Sequence, residues 1–121
     1  MSRDWRLYWS DILVACQKVQ RYTAGLDLEG LIADERTYDA VLRNLEIIGE
    51  AAKAIPKDSR DLAPSVDWRG IVGLRDVLAH AYFSISDRLL WVIITSKVPE
   101  LHAAMNSANI DSDDPSDDGT A

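Results

Sequence analysis

Eight consecutive residues, Arg75-Asp76-Val77-Leu78-Ala79-His80-Ala81-Tyr82, gather a guanidinium, a carboxylate, an imidazole and a phenol. Histidine is the side chain whose charge changes most readily near neutral pH, so His80 is the natural candidate for proton transfer. Asp76 stands four residues before it, a helical neighbour placed to orient the ring. Arg75, five residues from His80, must reach around the helix or work with a second chain. The same spacing also fits a plainer arrangement, with Asp76 and His80 paired at the surface and Arg75 in a rim salt bridge contributing at most about 1 kcal/mol. On spacing alone both stand.

The segment that carries these residues reads as a helix from Trp68 to about Phe83. At about 100° per residue from Arg75, Leu74, Leu78, Ile71 and Val77 cluster between about 200° and about 320°, a stripe for the protein's own core. The other side holds Arg75 itself, Ala79 at about 40°, Val72 at about 60°, Asp76 at about 100°, His80 at about 140° and Gly73 at about 160°, with Tyr82 returning to the arginine's side. Ionisable residues mixed with small and apolar ones are unlike a solvated face rich in Lys and Glu, so a partner surface is implied. Gly70 and Gly73 each cost a helix roughly 1 kcal/mol relative to Ala, which is easier to understand if something packs closely against them.

Three more long helices are predicted. The first runs from about Asp4, its cap, to Tyr22, with Leu7, Leu13, Val14 and Val19 among its buried positions, and ends near Gly25. After a short helical turn at Leu28 to Ala33, a central helix follows Asp34. It buries Val41, Leu42, Leu45, Ile48, Ala52 and Ile55 until Pro56 stops it. Residues 57–67 read as a polar connection. The last helix starts at Ser86 or Asp87 and runs towards Met105, with Pro99 expected to kink or split it near Val98. The pattern predicts an all-α chain: an up-and-down four-helix bundle over residues 1–106, followed by a disordered acidic tail over residues 107–121.

Other candidate chemistry is sparse. His102 has no cysteine or second histidine at ligand spacing and reads as a surface residue, so no metal site is expected. The lone Cys16 sits among Ile12, Leu13, Val14 and Ala15 and reads as a reduced, buried thiol. Leu13-Val14-Ala15-Cys16 resembles a lipoprotein cleavage site only superficially, because Asp4, Arg6 and Asp11 interrupt the apolar stretch it would need. Trp5, Trp9, Trp68 and Trp91 read as packing residues rather than base-stacking ones. With no long apolar run, a cytoplasmic protein is expected.

The chain has 121 residues, enough for one domain with a real core, and its net charge is -7. Five of the acids, Asp111, Asp113, Asp114, Asp117 and Asp118, lie in the last eleven residues, which leaves the rest at about neutral, thirteen bases against fifteen acids. Such a balance gives no broad electropositive footprint, but it permits a local basic cleft.

Arg75-Asp76-Val77-Leu78-Ala79-His80-Ala81-Tyr82 matches the R-x4-H-x-Y motif of the HepT-like proteins, a branch of the HEPN superfamily of helical ribonucleases and toxins. The resemblance extends over roughly residues 7–105, through Asp34-Glu35-Arg36-Thr37, Arg43-Asn44-Leu45-Glu46, Ile47-Ile48-Gly49-Glu50-Ala51-Ala52-Lys53, Trp68-Arg69-Gly70-Ile71, and Trp91 with Pro99-Glu100-Leu101. Ala81 departs from the glycine often found between the motif histidine and tyrosine, and leaves the ionisable residues intact. The acidic tail lies outside the resemblance.

The resemblance implies a helical homodimer whose motif helices line a shared cleft. It further implies a metal-independent endoribonuclease acting as the toxin of a type VII-like toxin-antitoxin pair, with no cofactor. The implied antitoxin is a minimal nucleotidyltransferase that transfers AMP to the motif tyrosine, here Tyr82. Chemically, RNA can be cut without a metal when its own 2′-hydroxyl attacks the adjacent phosphorus. That requires a proton-transfer group, the role the resemblance gives His80, and a fixed cation for the developing charge, the role it gives Arg75. Asp76 would orient one of the two, and Glu50 on the neighbouring helix would support them. A nucleotide attached to Tyr82 would set a bulky anion on Arg75's side of the helix, competing with substrate phosphate. Two alternatives are a catalytically weak helical protein that binds its nucleotidyltransferase, and a nucleotide-binding accessory protein.

Overall fold

The computed structural model describes the backbone of residues 3–81 and 86–110, with the side chains of all but residues 80 and 81. Among the described residues there are only helices and their connections, as the sequence periodicity predicts. They run α1 (Trp5–Thr23), α2 (Leu28–Ala33), α3 (Glu35–Ala54), α4 (Lys57–Arg60), α5 (Trp68–Ala81), α6 (Asp87–Val92), a π-helical segment (Ile93–Lys97) and α7 (Val98–Ser107).

Carboxylates start most of these helices by satisfying backbone N–H groups that have no partner in the first turn. Asp4 accepts from the Arg6 N–H at 2.9 Å, Asp27 from Gly30 at 2.7 Å and Asp34 from Thr37 at 3.1 Å. Asp67 does the same for Gly70 at 3.1 Å, which places Gly70 in the capped first turn of α5. Gly25, at φ +78°, takes the left-handed conformation just past the end of α1, where a side chain is disfavoured. The segment after Pro56 is not the plain connection expected from its polarity. It forms α4, and Arg60 folds back from it to donate from Nε to the Ile55 carbonyl at 3.0 Å and from Nη2 to the Ala52 carbonyl at 3.0 Å.

The core has α1 packed along α3, α3 along α5, and α1 along α7. Trp9, Ile12, Cys16 and Val19 face inward from α1, towards Val41, Leu45, Ile48 and Ala52 of α3. Leu7 and Val14 do not belong to that stripe. They are 48% and 44% exposed, seven residues apart on a face turned away from α3, so the expectation that they are buried fails. Apolar residues occur on both faces of α1, and the stripe is set by Trp9. Its indole meets Trp5 edge-on at 5.9 Å and Trp68 at 5.8 Å between ring centroids, and its Nε1 donates to the Met105 carbonyl at 3.3 Å.

The C-terminal helix is divided where the sequence predicts, with α7 beginning at Val98, and the division takes the form of a register shift: the Val98 N–H bonds to the Ile93 carbonyl, five residues back, and Pro99 follows inside the first turn of α7. A proline lacks an N–H and its ring crowds the carbonyl four residues earlier, and a wider turn at that point relieves both demands. It also keeps the hydrophobic face aligned. Leu90, Ile94 and Val98 are buried at four-residue steps, longer than the about 3.6 of an α-turn, and the π segment absorbs the surplus. The packed chain continues past Asn106: Ser107 ends α7, and Ala108 and Ile110 rest against the core. The predicted tail from residue 111 onward lies outside the described residues.

Candidate active site

Helix α5 is held by its apolar stripe. Leu74 and Leu78 are buried at 7% and 6% exposure, and Ile71 and Val77 are half-covered, as the wheel predicts. The closest approach of α3 comes at Gly49. A Cβ there would stand 3.4 Å from both the Arg75 backbone nitrogen and the Ile71 carbonyl oxygen. A methyl group would just fit and anything larger would push α5 outward, so Gly49 fixes how near the motif helix lies to the central one. This positioning residue was not singled out in the sequence. Its signal was a glycine between the buried residues Ile48 and Ala51 of a helix otherwise rich in apolar side chains.

The opposite side of α5 is open. Arg75, Asp76 and Ala79 are exposed, and a Cβ built on Gly73 would meet nothing within 4 Å. Among the described residues nothing therefore packs on Gly73. Gly70 answers to the Asp67 carboxylate at its cap rather than to a neighbouring helix. Among the described residues Arg75, Asp76 and Glu50 form no hydrogen bond or ion pair with one another. The rim salt bridge that would account for Arg75 as a purely structural residue is thus missing within the described chain. Glu50 is exposed on α3, next to the glycine that α5 rests on. His80 belongs to α5 by its backbone. Its side chain and all of Tyr82 lie outside the described residues, so the structure places Arg75, Asp76 and Glu50 without relating them to the imidazole or the phenol.

A cavity lies on the other flank of the motif helix. A groove of about 490 Å³ runs between α5 and the C-terminal helix, floored by Ile48, Ile71, Leu74, Ile93 and Leu101. Its floor is apolar, Asp67, Lys97 and Glu100 also line it, and Arg75 and Asp76 do not. His102 is not the surface residue its polarity suggested. Following the buried Leu101, it is half-buried, and its Nε2 is enclosed with no hydrogen-bond partner among the described residues. Cys16 is fully enclosed, as expected, and burial pushes its thiol up to about 12, which suits packing and not nucleophilic work.

The family model for HepT-like ribonucleases matches residues 12–108, from within α1 to the end of α7. The chain belongs to the HepT-like ribonuclease family. Its relatives include a protein of Thermococcus cleftensis named as a probable ribonuclease HepT, 40% identical over 84% of this chain and 92% of its own length. Another, from Methanocaldococcus jannaschii, is named in similarly provisional terms as an RNase; it is 40% identical over 83% of this chain and 92% of its own. A third, from Caldanaerobacter subterraneus, also carries an RNase name at 38% identity, with 79% and 86% covered. Among solved structures none matches this chain. Of the R-x4-H-x-Y motif, the structure places the Arg75 side chain, on the exposed side of α5. No described helix is long and apolar enough to cross a membrane.

Proposed function

We propose that this HepT-like protein is a metal-independent endoribonuclease acting through Arg75 and His80 on the open side of α5. The observation that carries the reading is the pairing of family membership with an arginine that is exposed and has no partner among the described residues. A solvent-facing guanidinium keeps its planar fork available for two phosphate oxygens. In the proposed reaction the 2′-oxygen bonds to phosphorus while its proton passes to the His80 imidazole. The bond from phosphorus to the 5′-oxygen then breaks, and that oxygen takes a proton from a protonated imidazole. Arg75 stabilises the charge that builds on the phosphate, and Asp76 orients its neighbours. The need for a 2′-hydroxyl makes RNA the substrate rather than DNA.

The uncovered Gly73 and the exposed Ala79 favour assembly through this side of α5, with a second copy supplying the other wall of the cleft. In the toxin reading the partner is a nucleotidyltransferase that moves AMP from ATP onto the Tyr82 oxygen, releasing pyrophosphate. The purified protein is expected to cut single-stranded RNA in EDTA and leave cyclic phosphate ends. His80→Ala should lower the rate roughly 100- to 10,000-fold, the usual contribution of a positioned acid-base group. Full cleavage by His80→Ala would overturn the mechanism. Incubation with the nucleotidyltransferase and ATP should add one AMP mass, which Tyr82→Phe should abolish.

A further inference from the structure

The first turns of α5 border a shallow concavity of about 420 Å³, bounded by Lys57, Arg60, Asp61, Trp68, Arg69 and Val72. Three cations against one acid make this a basic spot on a chain whose net charge is -7. The cations are not equivalent. Arg60 is fixed: its guanidinium is bonded to the carbonyls that end α3 and stands 5.9 Å from the centre of the Trp68 ring. That contact offsets the negative end of the α3 dipole, which would otherwise repel an anion. Trp68 is fixed in turn, its Nε1 donating to the Arg60 carbonyl at 3.0 Å and the Ala63 carbonyl at 3.2 Å. Lys57 and Arg69 are exposed, and neither has a hydrogen-bond or ion-pair partner among the described residues. Two free cations therefore flank a rigid aromatic floor.

The concavity is also aligned with the motif. Arg69 precedes Asp76 by seven residues, two helical turns, and falls at about 120° on the wheel, between Asp76 and His80. Along the helix axis Arg69 and Arg75 are about 9 Å apart. A stacked strand advances about 3.4 Å per nucleotide, so the separation corresponds to roughly three stacked steps.

We propose that this concavity is an anchoring subsite for the RNA strand. Lys57 and Arg69 take phosphate oxygens a few nucleotides from the linkage held at Arg75, and Trp68 and Val72 provide the apolar floor beneath the sugar or base. The subsite gives a single strand a second grip and sets its direction along α5. It rests on the ribonuclease reading for its purpose, and its test is one of binding.

The test uses a short fluorescent single-stranded RNA with every 2′-oxygen methylated, so that attack by the 2′-oxygen is impossible, titrated into the full-length protein over a range of salt. The double variant Lys57→Ala/Arg69→Ala should bind about tenfold more weakly. Its slope of log affinity against log salt should be shallower by about 1.4, since each single-strand phosphate contact contributes about 0.7. The same two charges removed at the other end of α1 and α3, in Arg21→Ala/Arg36→Ala, should leave affinity within about twofold, showing that place and not net charge matters. Arg69→Lys should keep the salt slope. A correctly folded Lys57→Ala/Arg69→Ala protein with unchanged affinity and slope overturns the subsite, as does an equal loss in the control. A wild-type protein that binds through these residues yet leaves unmethylated RNA whole overturns only the ribonuclease reading.

Discussion

Arg75 and Cys16 mark two ends of a range that runs from an exposed, unpaired group to a sealed one. If Arg75 holds phosphate through its fork, charge alone cannot replace it. Arg75→Lys is expected to lower kcat at least about tenfold, about 1.4 kcal/mol of transition-state stabilisation, measured against the wild-type enzyme on the same RNA. Cys16 makes an opposite kind of prediction. Its thiol titrates near 9.0 when unfolded and at about 12 when folded, so between those values the folded state keeps a proton that the unfolded state gives up. Folding stability should therefore be intact below pH about 9 and fall by up to about 1.4 kcal/mol per pH unit above it. Denaturation of wild type and Cys16→Ala at rising pH should show this extra loss in the wild type alone. Residue-scale reading of the sequence succeeded for Cys16, which follows four apolar residues, Ile12 to Ala15. It failed for His102, because polarity says nothing about which flank of a helix the neighbouring elements cover.

At the scale of elements, the periodicity of α3 and α5 was legible because in each the buried residues recur at helical spacing along one apolar stripe. α1 was misread at Leu7 and Val14 because both its faces carry apolar residues, and only the Trp9 contacts decide between them. Pro99 announced a disturbance at the right place. Whether it becomes a kink or a register shift depends on whether the residues beyond it must keep facing α1, and that is a tertiary demand. Gly73 supplies a test of what covers the outer side of α5. In an isolated chain Gly73→Ala should be stabilising by about 0.5–1 kcal/mol, since the methyl meets nothing and helix propensity improves. If a second copy packs there, the same substitution should weaken dimerisation. Melting temperature and sedimentation of the variant, followed over a concentration series, separate the two contributions.

For the whole molecule, the all-helical class and the order of the long elements followed from spacing and capping residues alone. The concavity beside Trp68 did not, because Lys57 and Arg60 of α4 and Arg69 of α5 come from two places in the sequence, and which of the cations stays free is settled only when Arg60 folds back onto α3. Their neighbourhood includes the end of the packed chain. Trp68 meets Trp9 in a tilted ring contact, Trp9 is hydrogen-bonded to the Met105 carbonyl, and the last described residue, Ile110, follows five positions later. Five carboxylates come next in the sequence, between residues 111 and 118, each step of the backbone reaching at most about 3.6 Å. Removing residues 111–121 should tighten RNA binding several-fold at low ionic strength, with the advantage fading as salt rises through about 0.15 M. If that result is obtained, the sequence's own run of carboxylates competes with nucleic acid for the cationic hollow, and the ionic composition of the surroundings becomes a dial on how readily a strand is admitted.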